Sequence, residues 1–187
     1  MAYKSLSLKI TGVSPLVLHC GQLANPLNRW SKAVKVISSK RQKTDADFEE
    51  MARLEWFGSL YLYNGKPCLP GEVLEAALVN GARKNKRGKQ AQAGLMCPDN
   101  YPIIYDGPTN LDELWQDENF RLVAGVKVGQ ARIMRTRPIF RQWACEFTVM
   151  YDPSLLNEGE IWDMVRLAGE VVGLCDWRPR FGRFSVA

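Results

Sequence analysis

The chain has little of what marks an enzyme or a membrane protein in sequence. Among its 187 residues there is a single histidine, His19. One imidazole leaves no histidine pair for a metal and no partner arrangement for nucleophilic catalysis. Five cysteines, Cys20, Cys68, Cys97, Cys145 and Cys175, are odd in number, far apart and without a CxxC pair. That spacing argues against a disulfide framework or a zinc site and suits a reducing compartment. No apolar run reaches the ~20 residues of a membrane helix, and no secretory leader pattern is visible. A soluble, cytoplasmic protein with no membrane partner is expected. The run from Gly81 to Gly88 lacks the glycine-lysine-serine or threonine ending of a phosphate loop, and neither a nucleophile elbow nor a dinucleotide fingerprint occurs. No cofactor, metal or catalytic set is predicted.

Acidic residues are also missing, locally, where the basic ones gather. The window 28–43 holds Arg29, Lys32, Lys35, Lys40, Arg41 and Lys43 with no acid; 83–89 holds Arg83, Lys84, Lys86, Arg87 and Lys89; 127–141 holds Lys127, Arg132, Arg135, Arg137 and Arg141. The C-terminal turn adds Arg178, Arg180 and Arg183, so these stretches carry most of the 25 basic residues. A net charge of +5 is modest, but such segregation is the electrostatic footprint expected for a polyanion. Each cluster taken singly is equally a solvated face.

Forty-six per cent of the residues are hydrophobic, enough to fill a proper core, and the length suits one domain over residues 1–187. Leu6, Leu8 and Ile10 alternate with polar residues as in a half-buried strand. Residues 22–66 read as a helical insertion, in which Thr44 and the acids after it cap a helix carrying Met51, Leu54, Trp56, Phe57 and Leu60. Asp45 and Asp47 belong to that cap rather than to a metal site. Glu72 to Asn80 has helical spacing. Phe120–Val128 and Ala131–Arg137 flank Gly129-Gln130 as a basic hairpin, whose second arm Pro138 should keep from being a long central strand. Trp143 to Tyr151 alternates as a strand, Ile161 to Val172 forms an amphipathic helix ending at Gly173, and Phe181 to Val186 closes as a strand. Without the insertion the order is βαββαβ, an α+β ferredoxin-like plan of the kind used by RNA-recognition modules.

Two of the six tryptophans, Trp30 and Trp177, sit within basic stretches, where an indole can stack on a base. In the C-terminal turn, Gly173 and Gly182 bracket Trp177, Arg178 and Arg180, and glycine lets a backbone approach a phosphate closely. The alternative is a helix-to-strand loop with solvated arginines.

Three segments resemble the RAMP superfamily, the ferredoxin-like backbone subunits and guide-processing nucleases of CRISPR systems. Leu69-Pro70-Gly71-Glu72 resembles its entry to the first helix, Ser14-Pro15-Leu16 followed by Gly21 resembles its turn after the first strand, and Gly173 to Phe184 resembles its glycine-rich loop. Glu72 and Val73 replace the usual serine pair, and Cys175 and Arg180 stand where further glycines are typical. The resemblance implies a distant backbone-type relative, free-standing in a phage or mobile element, that binds RNA or single-stranded DNA and assembles as repeated subunits along it. The hairpin would then act as a thumb. The predicted contacts are Trp30, Lys32, Lys35, Arg83, Lys84, Arg87, Arg132, Arg135, Arg137, Trp177, Arg178, Arg180 and Arg183. Two alternatives remain open at this point. One is an endoribonuclease of the same superfamily using His19 or an aspartate of the insertion; the other is a mimic that engages a CRISPR-related protein partner.

Overall fold

The computed structural model describes residues 2–187. In chain order it contains β1 (Lys4–Gly12), β2 (Leu16–Val17), α1 (Arg29–Ser38), α2 (Asp45–Ser59), β3 (Leu62–Tyr63), β4 (Lys66–Pro70), α3 (Gly71–Lys84) and α4 (Gly88–Gly94). There follow β5 (Leu95–Met96), β6 (Asn100–Pro102), α5 (Leu111–Gln116), β7 (Arg121–Val128), β8 (Ala131–Phe140), β9 (Ala144–Tyr151), α6 (Glu158–Leu167) and β10 (Phe184–Val186). The class is α+β with several antiparallel sheets. The chain divides into two compact units, one made of Met1–Leu16, Leu62–Asp106 and Arg141–Ala187, the other of Val17–Tyr61 and Gly107–Phe140.

The first unit is organised by a four-stranded antiparallel sheet in the order β10, β1, β9, β5. Leu8 pairs with Phe147 and Ile10 with Cys145, and all four are buried. The period-2 alternation read from both segments therefore describes the buried face of one sheet. Pro70 precedes α3, and an extended residue of fixed φ suits that position. Gly71 follows because a Cβ there would lie 2.0 Å from the Cys97 carbonyl oxygen, so only a bare Cα lets α3 start against that backbone. Asn157 caps α6 through a box with Glu160, and the helix widens over Ala168–Val172 before Gly173 ends it at φ 77°. A small sheet of β3, β4 and β6 completes this unit.

The second unit packs α2 on the sheet β2–β8–β7. Its core is aromatic. Trp56 is fully buried, donates its indole N–H to the Phe120 carbonyl at 2.8 Å and meets Trp115 edge-on at 5.7 Å, while Phe120 meets Phe140 in the same manner. The Thr44 cap expected from the sequence is a full capping box with Asp47.

Two expectations are corrected. The hairpin arms β7 and β8 pair with each other, β8 alone also neighbours β2, and the strand beside β9 in the four-stranded sheet, opposite β1, is the two-residue β5, which its Leu-Met sequence did not announce. Nor does Pro138 shorten its strand: β8 runs ten residues between two neighbours. Pro138 sits opposite Arg121, the first residue of β7, so its missing N–H falls at the end of that ladder, while its carbonyl accepts from Leu18 N at 3.0 Å.

Candidate nucleic-acid interface

The C-terminal turn folds back on itself through its glycines. Leu174 N donates to the Gly182 carbonyl at 2.9 Å, and Gly182 N donates to the Pro15 carbonyl at 2.8 Å. Gly182 has φ 74°, and a Cβ there would stand 2.1 Å from the Leu174 carbonyl oxygen. Val13 N and Ser14 N both donate to the Arg183 carbonyl, and Ser14 Oγ accepts from Arg183 N at 2.9 Å. The Ser14-Pro15 turn and the terminal turn thus hold one another. Cys175 and Trp177 also adopt positive φ, 60° and 53°, a backbone region that non-glycine residues seldom enter.

This geometry leaves Arg178 exposed beside the C-terminal end of α3. Arg83, Lys84 and Asn80 of α3, Val171 and Val172 after α6, and Arg178 and Pro179 of the turn line a groove of about 410 Å3. The lining contains three cations and no carboxylate. Arg83 is oriented by a 2.9 Å bond from its guanidinium to Asn80 Oδ1. The last turn of α3 adds its own reason for basic residues there, since the helix dipole favours cations at that end. Residues far apart in sequence therefore converge on one anion-attracting surface with an apolar floor.

The other residues singled out in the sequence have varied surroundings. Trp177 is half-buried, its ring 6.0 Å from that of Phe181, and Arg180 lies 5.7 Å over the Phe181 ring. Arg183 is exposed, with Nε donating to the Pro179 carbonyl at 2.8 Å. Arg87 is half-buried in an ion pair with Glu160. In the second unit, Trp30 of α1 stacks on Phe57 at 5.7 Å with the Arg29 guanidinium 4.5 Å over its ring. Lys32 and Lys35 of α1 are exposed, as is Arg132 of β8. Arg135 is ion-paired with the buried Glu55, which also accepts from Thr136 N at 3.1 Å. Arg137 is buried, and its guanidinium approaches Ser59 Oγ, the Thr136 carbonyl and His19 Nε2 at 3.4 to 3.5 Å.

The structure thus joins Arg83, Lys84 and Arg178 in one groove, and Lys35, Arg135 and Arg137 around a second cavity. Asn80 and Glu55 were not foreseen: each sits inside an ordinary helical pattern that carries no local signal of its role. Asp47 is held below the usual carboxylate range by its 2.6 Å hydrogen bond from Lys40 and by the Thr44 backbone, the environment of a cap. No protein-family model matches this chain, and no curated protein matches it as a relative.

Proposed function

We infer that the protein binds single-stranded nucleic acid through the groove of its first unit and does so without cleaving it. The observation that carries this reading is the convergence of Arg83, Lys84 and Arg178 on one groove whose lining has no carboxylate. Phosphate contacts of that kind supply affinity and little sequence preference. The Val171, Val172 and Pro179 floor offers apolar contact for a sugar or base.

The strand order β10, β1, β9, β5, with α3 between β1 and β5 and α6 between β9 and β10, supports a ferredoxin-like plan for the first unit. Of the segments that resemble the RAMP superfamily, Leu69–Glu72, Ser14–Leu16 and Gly173–Phe184 lie in this unit, and Gly21 alone falls in the other. The left-handed backbone at Cys175, where that superfamily has glycine, supports the resemblance on physical grounds, because the loop keeps a glycine conformation after losing the glycine. On this reading the chain is a distant backbone-type relative whose copies line up along an RNA or DNA strand.

The test is binding of labelled single-stranded RNA and DNA oligonucleotides, followed by fluorescence anisotropy across a salt series. Three phosphate contacts on a single strand give a log-log slope near −2, at about 0.7 per contact. Replacing Arg83, Lys84 and Arg178 together by alanine should weaken binding to all sequences alike and remove about that much slope. Absence of binding to either oligonucleotide, or a slope that the triple variant leaves unchanged, would sink the reading. Light scattering of the complex then reads whether copies accumulate with oligonucleotide length.

A further inference from the structure

The second unit carries an open cavity of about 510 Å3, within the range of small-molecule sites. Lys35 of α1 and Arg135 and Arg137 of β8 line it, together with His19. One carboxylate, Glu55, shares the lining and is engaged by Arg135 and Thr136 N. The opposite character is supplied by Leu23, Ala24, Val34 and Val126, which give the cavity an apolar wall.

We propose that this cavity binds a phosphate-bearing ligand of nucleotide size, its phosphate against Lys35, Arg135 and Arg137 and its base or sugar against Leu23, Val34 and Val126. The cations come from two separate elements, an ammonium from α1 and two guanidinium groups from β8, of which that of Arg135 is also paired with Glu55. That arrangement suits a tetrahedral oxyanion, which can accept in several directions, better than a planar carboxylate. Arg137, 7% exposed, is placed by the His19, Ser59 and Thr136 contacts, so a donor of the cavity is oriented before a ligand arrives. A bare phosphate would leave the apolar wall and most of the volume unused. This site is independent of the groove on the first unit.

The full chain is titrated calorimetrically with adenosine 5′-monophosphate, inorganic phosphate and adenosine. The monophosphate should bind, phosphate should bind at least about tenfold more weakly, and adenosine should give no measurable heat. Lys35→Glu reverses an exposed charge, and Ala24→Trp fills the cavity from an exposed position. Each should lower monophosphate affinity at least about tenfold with an unchanged circular dichroism spectrum. The triple alanine variant of Arg83, Lys84 and Arg178 should bind the monophosphate as the wild type does, which separates this site from the groove. No binding of the monophosphate, or an affinity that neither Lys35→Glu nor Ala24→Trp changes, overturns the proposal. Where an unlabelled oligonucleotide displaces the monophosphate, the ligand is a nucleotide of a strand; where the two bind together, it is a free nucleotide.

Discussion

The two units use arginine in opposite ways. On the first, Arg83 and Arg178 stand exposed at a helix end and on a glycine-closed turn, around a groove without acids. In the second, Arg135 and Arg137 rise from a central strand into a helix packed on it, and their charge is managed by Glu55, Ser59 and His19. The difference teaches that a basic window in sequence says nothing by itself about what the charge is for. An exposed cation stays available to a ligand at little cost, whereas a buried one must be oriented and compensated by its own protein.

The contrast extends to the cores, and there the largest effect is expected. Burial pushes the Cys97 and Cys145 thiols up to about 12, and raises the Tyr101 and Tyr105 phenols by the same cause; all four lie in the first unit. A thiol whose folded pKa exceeds its unfolded value stabilises fully below the unfolded value, near 8.5 to 9, and loses that contribution as pH rises toward the folded one. Each such thiol should lower unfolding free energy by about 1.4 kcal/mol per pH unit in that window. Urea denaturation at pH 8 and pH 10.5 measures the drop, and amide exchange should place it in the four-stranded sheet before the aromatic core. Equal loss in both units would erase this part of the comparison.

Next in size is a matched pair of substitutions. Glu55→Ala strips a buried carboxylate from Arg135 and from the Thr136 amide, and should cost about 3 kcal/mol in urea denaturation. Arg83→Ala removes an exposed charge and should change stability by less than about 0.5 kcal/mol while weakening oligonucleotide binding. A stability loss at Arg83 as large as that at Glu55 would show that the groove cations are structural too.

The smallest effect concerns the terminal turn. Cys175→Gly relieves a positive φ worth about 1 to 2 kcal/mol but adds about 0.5 to 1 kcal/mol of chain entropy. A net stabilisation of under about 1 kcal/mol is expected from thermal melting. A clear destabilisation would mean that the partly buried Cys175 side chain packs more than the backbone strains.

Much of the local structure was legible because it depends on neighbours in sequence. The Thr44 cap, the alternation in β1 and β9, and the stop at Gly173 each follow from residue types within a few positions of one another. The short β5 was not legible, since two residues carry no period, and its strand character comes from pairing with Tyr151 and Met150. Nor could sequence say that β7 and β8 would form a separate sheet with β2, because hydrogen-bond partners across a chain are chosen by which surfaces can be buried together.

The candidate site divides along the same line. By itself the sequence determined that cations are segregated from acids, that a glycine-bracketed turn follows the last helix, and that a Pro-Gly step opens α3. These are properties of composition and of local backbone freedom, and they survive any arrangement of the rest. Only the tertiary structure decided which cations meet: Arg178 with Arg83 and Lys84, and Lys35 with Arg135 and Arg137. It also set Arg87 against Glu160 and Arg135 against Glu55, pairing within the protein charges that look equivalent in sequence to the exposed ones. The physical reason is that electrostatic energy depends on distance and dielectric surroundings, and packing sets both.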